Sequence, residues 1–228
     1  MSDSAGADSP RAWRNSPRAP SEGPLAVLQR IRQPPPRPRA GERCELCAVE
    51  IPAEHGHVVD LDDRGLLCAC RACALLFTRA GVAGGRYRTV PSRFLSVVGF
   101  DLSPGQWDAL QIPVAMAFFF RNSRSGAVSG FYPSPAGATE SLLPLEAWTQ
   151  VEAANPVLAT LQPDVEAALL RAEPSGYACY VVPIDACYEL VGHLRRLWRG
   201  FDGGREANDA VEAFFAGITG RARPVDRG

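Results

Sequence analysis

Cys44, Cys47, Cys68, Cys70 and Cys73 are five of the chain's seven cysteines and fall within 30 residues. Cys44-x-x-Cys47 and Cys70-x-x-Cys73 form two chelating pairs about twenty residues apart, the spacing of a structural Zn(Cys)4 module. Each pair can close a turn on one ion, and the segment between them has room for a hairpin. Cys68 is a fifth thiol for four places, and His55 and His57 lie close enough to compete. Keeping both pairs intact favours Cys44, Cys47, Cys70 and Cys73, with Cys68 as a neighbouring or buried thiol. Four thiolates leave no open position for a substrate, so the expected role is a zinc staple for a segment too small to fold alone. Iron or an iron-sulfur cluster on the same thiols is the alternative. Ala48 and Ala74 stand where a rubredoxin-like knuckle commonly carries glycine.

The elements that must position these thiols can be read locally. His57–Leu61 and Leu66–Ala69 have strand composition and flank the turn-forming Asp62-Asp63-Arg64-Gly65, which predicts a hairpin. Arg71–Ala80 fits a short helix closed by Gly81, with Cys70 and Cys73 at its start. A Cys pair, a hairpin and a helix, in that order, resemble a treble-clef or zinc-ribbon-like module, and a helix N-terminus favours thiolate over thiol.

Composition narrows the remaining chemistry. All 24 basic residues are arginine, so a P-loop, a protein-kinase site and Schiff-base or pyridoxal catalysis, each of which needs a lysine, are excluded. The net charge of -1 conceals a basic N-terminus, with eight Arg against four acids up to Arg43, and an acidic remainder. Residues 1–43 also hold eight of the 20 prolines and predict a disordered, partly polyproline-like tail. No apolar core of a signal peptide is visible, and the longest apolar run, Ile112–Phe120, is nine residues, too short to span a bilayer. A cytoplasmic protein is expected. In a reducing compartment clustered cysteines are better explained by metal than by disulfides.

Residues 44–81 are thus expected to form the metal module, 87–220 an α+β domain and 221–228 a flexible C-terminus. In the larger domain Arg93–Phe100 predicts a strand, and Ser103-Pro104 opens a short helix carrying Trp107. Val114–Phe120 with Ala127–Tyr132, and Asp164–Arg171 with Tyr177–Val182, predict hairpins. Pro144 opens a helix to about Ala154. Asp185 is expected to cap a helix with Cys187, Leu190, Val191, Leu194 and Trp198 on one stripe, and about 205–219 forms the last helix. Interleaved hairpins and helices predict a largely antiparallel sheet with helices on one face. No nucleophile elbow, zincin motif or phosphate loop is present. Cys187 falls on the apolar stripe and Cys179 on a strand, so both read as core thiols. His193 and Glu189 form an i, i+4 surface pair. Tyr132–Ser141 reads as a long loop of small residues leaving a strand end, a place where binding surfaces often sit.

The span from Cys44 to about Gly220 resembles an uncharacterised family of actinobacterial proteins. The resemblance rests on Cys44-Glu45-Leu46-Cys47, on the run from Leu67 to Phe77 that holds Cys68, Cys70 and Cys73, on Phe131–Ser141, and on Val182-Pro183-Ile184-Asp185. Genes of that family often lie beside those for nickel-iron hydrogenases, which implies an accessory role. It supplies no catalytic residues, and it implies that Cys68 belongs to the metal site. The resulting expectation is a non-enzymatic zinc-binding adaptor, partnered by a hydrogenase subunit or maturation factor. Two alternatives stand beside it: a redox or metallocentre-transfer protein, and a nucleic-acid-binding zinc finger. The acidic body and the lack of a basic finger helix weigh against nucleic acid.

Overall fold

The computed structural model describes residues 43–228 apart from 64, 80, 135–136, 142–144 and 200–203. Residues 1–42 of the expected tail therefore lie outside the described residues, as does Pro144, while Arg43 is bridged to Glu50. The described residues pack as one unit.

Two sheets organise it. In the smaller, β1 (Gly56–Asp60) and β2 (Gly65–Ala69) form the predicted hairpin in the register His57↔Cys68 and Val59↔Leu66. Helix α1 (Arg71–Leu76) follows. It stops short of the predicted Ala80 because its last carbonyls are claimed from outside: Thr89 Oγ1 donates to Ala74 O, and Thr89 N donates to Phe77 O at 3.1 Å. Gly81, Gly84 and Gly85 all take positive φ in the 3-10 turn that reverses the chain. β3 (Tyr87–Thr89), placed by the sequence at the start of the larger domain, then pairs with the free side of β1, giving the order β2-β1-β3. Arg86 grips Asp60 at the end of β1, Nη2 to Oδ2 at 2.6 Å. That bond holds the Asp60 carboxyl below its ordinary range. Its contribution is present at neutral pH and is lost as pH falls through the depressed folded value.

The larger sheet contains β4 (Leu95–Val98), β5 (Met116–Arg121), β6 (Val128–Ser134), β7 (Gly137–Glu140), β8 (Glu166–Glu173), β9 (Gly176–Pro183) and β10 (Arg223–Asp226). Their order is β10-β4-β9-β8-β5-β6-β7, antiparallel throughout except for the β10–β4 pair. Between the strands come α2 (Pro104–Ala109), α3 (Leu145–Ala154), α4 (Ile184–Leu197) and α5 (Gly204–Arg221). The start of α2 follows from its capping box, in which Ser103 and Gln106 satisfy each other's backbone N–H.

The α+β class and the antiparallel sheet match the expectation, but the helices cover both faces rather than one. On β8 and β9, Ala167, Leu169, Tyr180 and Val182 pack with α4 and α5 residues such as Leu190 and Phe215. Their neighbours Ala168, Leu170, Cys179 and Val181 pack with Trp107 of α2 and Trp148 and Val151 of α3. A strand that is apolar at consecutive positions has two faces to bury, so it needs a layer on each side.

Three further expectations are corrected. Residues 221–228 are not a flexible end: β10 covers the edge of β4, and Arg227 Nη1 donates to Asp101 Oδ2 at 2.8 Å. Tyr132–Ser141 is not a long loop but most of the β6–β7 hairpin, with Tyr132↔Thr139 and Ser134↔Gly137 in register. Earlier in β6, Gly130 has no room for a side chain: the Phe119 ring, stacked on Trp148 at 4.6 Å, lies over it, and a Cβ there would come within 2.6 Å of the ring. Asp185 does not cap α4; Pro183 occupies that position, and Asp185 reaches away to His57. Among the described residues no helix is long and apolar enough to cross a membrane.

A candidate metal centre of four cysteines

Arg43–Glu50 makes a tight knuckle. Ala48 N donates to Cys44 O at 2.7 Å and Cys44 N to Val49 O at 2.8 Å. Ala48 takes the left-handed conformation usually left to glycine, with φ of 62°, so the turn forms at some steric cost rather than being abandoned. The knuckle docks on β2 through Glu45, whose N donates to Cys68 O at 2.9 Å while its Oε2 accepts from Cys68 N at 2.6 Å. β2 delivers the chain to Cys70, the N-cap of α1, where Sγ accepts from Cys73 N at 3.4 Å. An N–H aimed at sulfur from the first turn of a helix stabilises thiolate charge.

These elements bring the four thiols together. The sulfurs of Cys44, Cys47, Cys70 and Cys73 all lie within 4.8 Å of one another, and Cys47 and Cys70 are 3.7 Å apart. Tetrahedral Zn–S bonds of about 2.3 Å imply S···S edges of about 3.8 Å, so the donor set fits one ion. Cys44 is buried, Cys70 and Cys73 are half-buried and Cys47 is exposed. The cluster could therefore hold a metal ion.

The electrostatics are uneven. Burial opposes ionisation of Cys44, but the amides of Cys70, Leu46 and Cys47 overcome it and bring the thiol down to about 6. Burial, together with the thiols of Cys47, Cys70 and Cys44, pushes Cys73 up to about 12. At Cys47 the Val49 amide and the Cys73 thiol favour thiolate, but the Cys44 and Cys70 thiols and burial outweigh them, and the value rises. At neutral pH Cys44 thus binds as a ready thiolate, whereas Cys47 and Cys73 must lose protons to the ion. Zinc uptake by the metal-free protein in weakly buffered neutral solution is expected to release at least two protons per ion, read with an indicator dye. Uptake without acidification would contradict this charge distribution.

Cys68 is set apart from the four. It faces His57 across the β1–β2 pair and lies with His55 and His57 in a second group. Cys179 and Cys187 are buried in opposite core layers, and burial raises both thiols, which makes them poor nucleophiles. His193 lines a surface hollow beside Glu189, away from the buried Cys187. The sequence reading missed the hydrogen bond between His57 and Asp185 and the ion pair of Arg93 with Glu166. Their partners lie 128 and 73 residues apart, and no local signal marks them.

Neither a curated protein nor a solved structure matches this chain. The sequence profile of a family of unknown function, DUF5947, matches residues 43–222, from the knuckle through the last turn of α5. With the four cysteines, both sheets but β10 and all the helices inside the matched span, the chain belongs to that family.

Proposed function

We propose that this is a non-enzymatic accessory protein, a zinc-stapled adaptor that works by docking a protein partner. The donor set carries the reading: four thiols from a knuckle and a helix start lie close enough to hold one ion, which would leave no coordination position for substrate. The adaptor half is supported by α1, where Leu75 and Leu76 are each 61% exposed a few residues beyond Cys73. A short helix pinned at one end by metal and bearing two exposed leucines is a rigid apolar contact. The family resemblance implies that the partner is a nickel-iron hydrogenase subunit or one of its maturation factors, and the location is cytoplasmic.

The test pairs metal analysis with binding to purified hydrogenase subunits. One tightly held zinc per chain, a colourless protein and a Leu75→Asp/Leu76→Asp variant that keeps the zinc but binds its subunit at least about tenfold more weakly are expected. Iron with a visible thiolate band would replace the staple by the redox or metallocentre-transfer reading. Equal binding by the variant would remove α1 as the docking element.

A further inference from the structure

We propose that His55, His57 and Cys68 form a second metal site, an open three-ligand centre for an exchangeable zinc-like divalent ion. The proposal does not depend on the adaptor reading and concerns different residues from the four-cysteine cluster.

Three observations carry it. One ligating atom from each of His55, His57 and Cys68 lies within 4.8 Å of the others. The fold supplies this convergence: His55 and His57 are two apart along an extended segment, with ring centroids 4.9 Å apart, and His57 is directly opposite Cys68 in the β1–β2 register. Tetrahedral Zn–N near 2.0 Å and Zn–S near 2.3 Å imply edges of about 3.3 to 3.5 Å, so closing on an ion needs these half-buried side chains to move inward by about 1 Å or less.

Both histidines also have the same nitrogen engaged. His57 Nδ1 is 2.8 Å from Asp185 Oδ2 and His55 Nδ1 is 2.9 Å from Pro52 O. With an oxygen acceptor at each Nδ1, the proton sits there and Nε2 carries the lone pair. A carboxylate or backbone carbonyl behind Nδ1 is the arrangement that orients metal-ligating imidazoles and raises their basicity.

The third observation is that His55 Nε2 is buried and has no hydrogen-bond partner among the described residues. A buried lone pair without a donor is uncommon in a folded protein and calls for a missing ion or water. A metal ion supplies the electron-pair acceptor that the surroundings lack.

The donor set decides what kind of ion this is. Two imidazoles and one thiolate suit a borderline-soft divalent ion, and three protein ligands leave a fourth position to solvent or an incoming group. His57 and Asp185 side chains are 23% and 26% exposed, so that position can be reached from solution. The neighbouring four-thiol cluster is a closed centre, whereas this one is built to exchange its ion or its fourth ligand. Cys68, His57 and Asp185 could also be read as a nucleophile, base and orienting acid. That reading leaves the second imidazole and its orphaned nitrogen unexplained.

The experiment uses the full chain with zinc already in the four-cysteine cluster. Cobalt(II) is titrated in without air, while bound zinc is counted in parallel. One further equivalent is expected, with a thiolate-to-cobalt charge-transfer band and the visible bands of four-coordinate cobalt. Cys68→Ser should remove the charge-transfer band, and His57→Ala should weaken binding by about 100-fold or more. Asp185→Asn should keep the bands with about tenfold weaker binding, as loss of an orienting partner does. The zinc count should stay at one in every variant. If His57→Ala also releases that zinc, the decision passes to His55→Ala, which precedes the hairpin, and to Asp185→Asn on α4. No second equivalent, or one without a sulfur band and indifferent to both substitutions, overturns the proposal. So does a protein that takes up no cobalt while Cys68 alkylates rapidly in a His57- and Asp185-dependent way, which would assign these residues to thiol chemistry.

Discussion

Removing the ion from the four-cysteine cluster, by strong chelation or by Cys70→Ser/Cys73→Ser, is expected to unfold the knuckle and α1 while leaving the larger sheet folded. Without an ion, the knuckle is held to β2 and the start of α1 by two hydrogen bonds of Glu45, one through its backbone N and one through its carboxylate, and by the Cys70 amide directed at the Cys44 thiol. At about 1 kcal/mol net each, they cannot offset the entropy of ordering Arg43–Glu50, about 1–2 kcal/mol per residue. A structural zinc contributes on the order of 10–16 kcal/mol in comparable modules. β1 should be affected less, because Val59 packs into the same apolar layer as Val182 and Ile184. Hydrogen exchange of the metal-free protein should therefore show lost protection at 43–50 and in α1, partial loss in β1, and none in β8 and β9. Unchanged protection in the knuckle would mean that the cluster is not a staple.

Arg93→Ala is expected to cost about 3–5 kcal/mol of global stability. Glu166 is fully buried at the start of β8. Its Oε2 accepts from Arg93 Nη2 at 2.7 Å and from Gln162 N at 2.8 Å, and its Oε1 accepts from Arg93 Nε. Truncating Arg93 leaves that carboxylate with one amide and no counter-charge. A domain's whole stability is about 5–15 kcal/mol, so the loss is a large share of it. At about 2–4 °C per kcal/mol for a chain of this size, the melting temperature should fall by roughly 6–20 °C. Arg93→Met/Glu166→Met should recover most of the loss, since a well-packed apolar pair often replaces a buried ion pair without penalty. Urea denaturation of the three variants checks both statements. A loss under about 1 kcal/mol for Arg93→Ala would show that solvent reaches and screens the pair.

The thiol cluster, the β1–β2 hairpin and the capped helix α2 were legible because chelating turns, hairpin turns and caps are specified within a few residues. β3 and β10 were not, since each pairs with a strand distant in sequence and neither is long enough to announce itself. The second layer of helices could have been foreseen from Ala167–Leu170 and Tyr180–Val182, where unbroken apolar runs require cover on both faces. Tyr132–Ser141 misled because proline and small residues are turn signals. Pro133 is in fact paired with Ala138 within β6–β7, beyond the last β5–β6 pair, Phe118↔Phe131, so no neighbour on the β5 side needs its missing N–H. The union of His57 with Asp185 had no legible trace, because it depends on how the small sheet settles against α4.

The division of the core by the larger sheet bears on how substitutions combine over evolutionary time. The small sheet and the residue that follows it add Val59 and Val90 to the layer shared with α4 and α5 and, among the described residues, nothing to the layer built on Trp107 and Trp148. Changes that loosen the metal module should therefore show epistasis with residues such as Leu190 and Phe215, and combine additively with changes at Trp148 or Val151. The α2–α3 side can drift under selection for its own packing alone, whereas residues under the metal module are free to change only in concert.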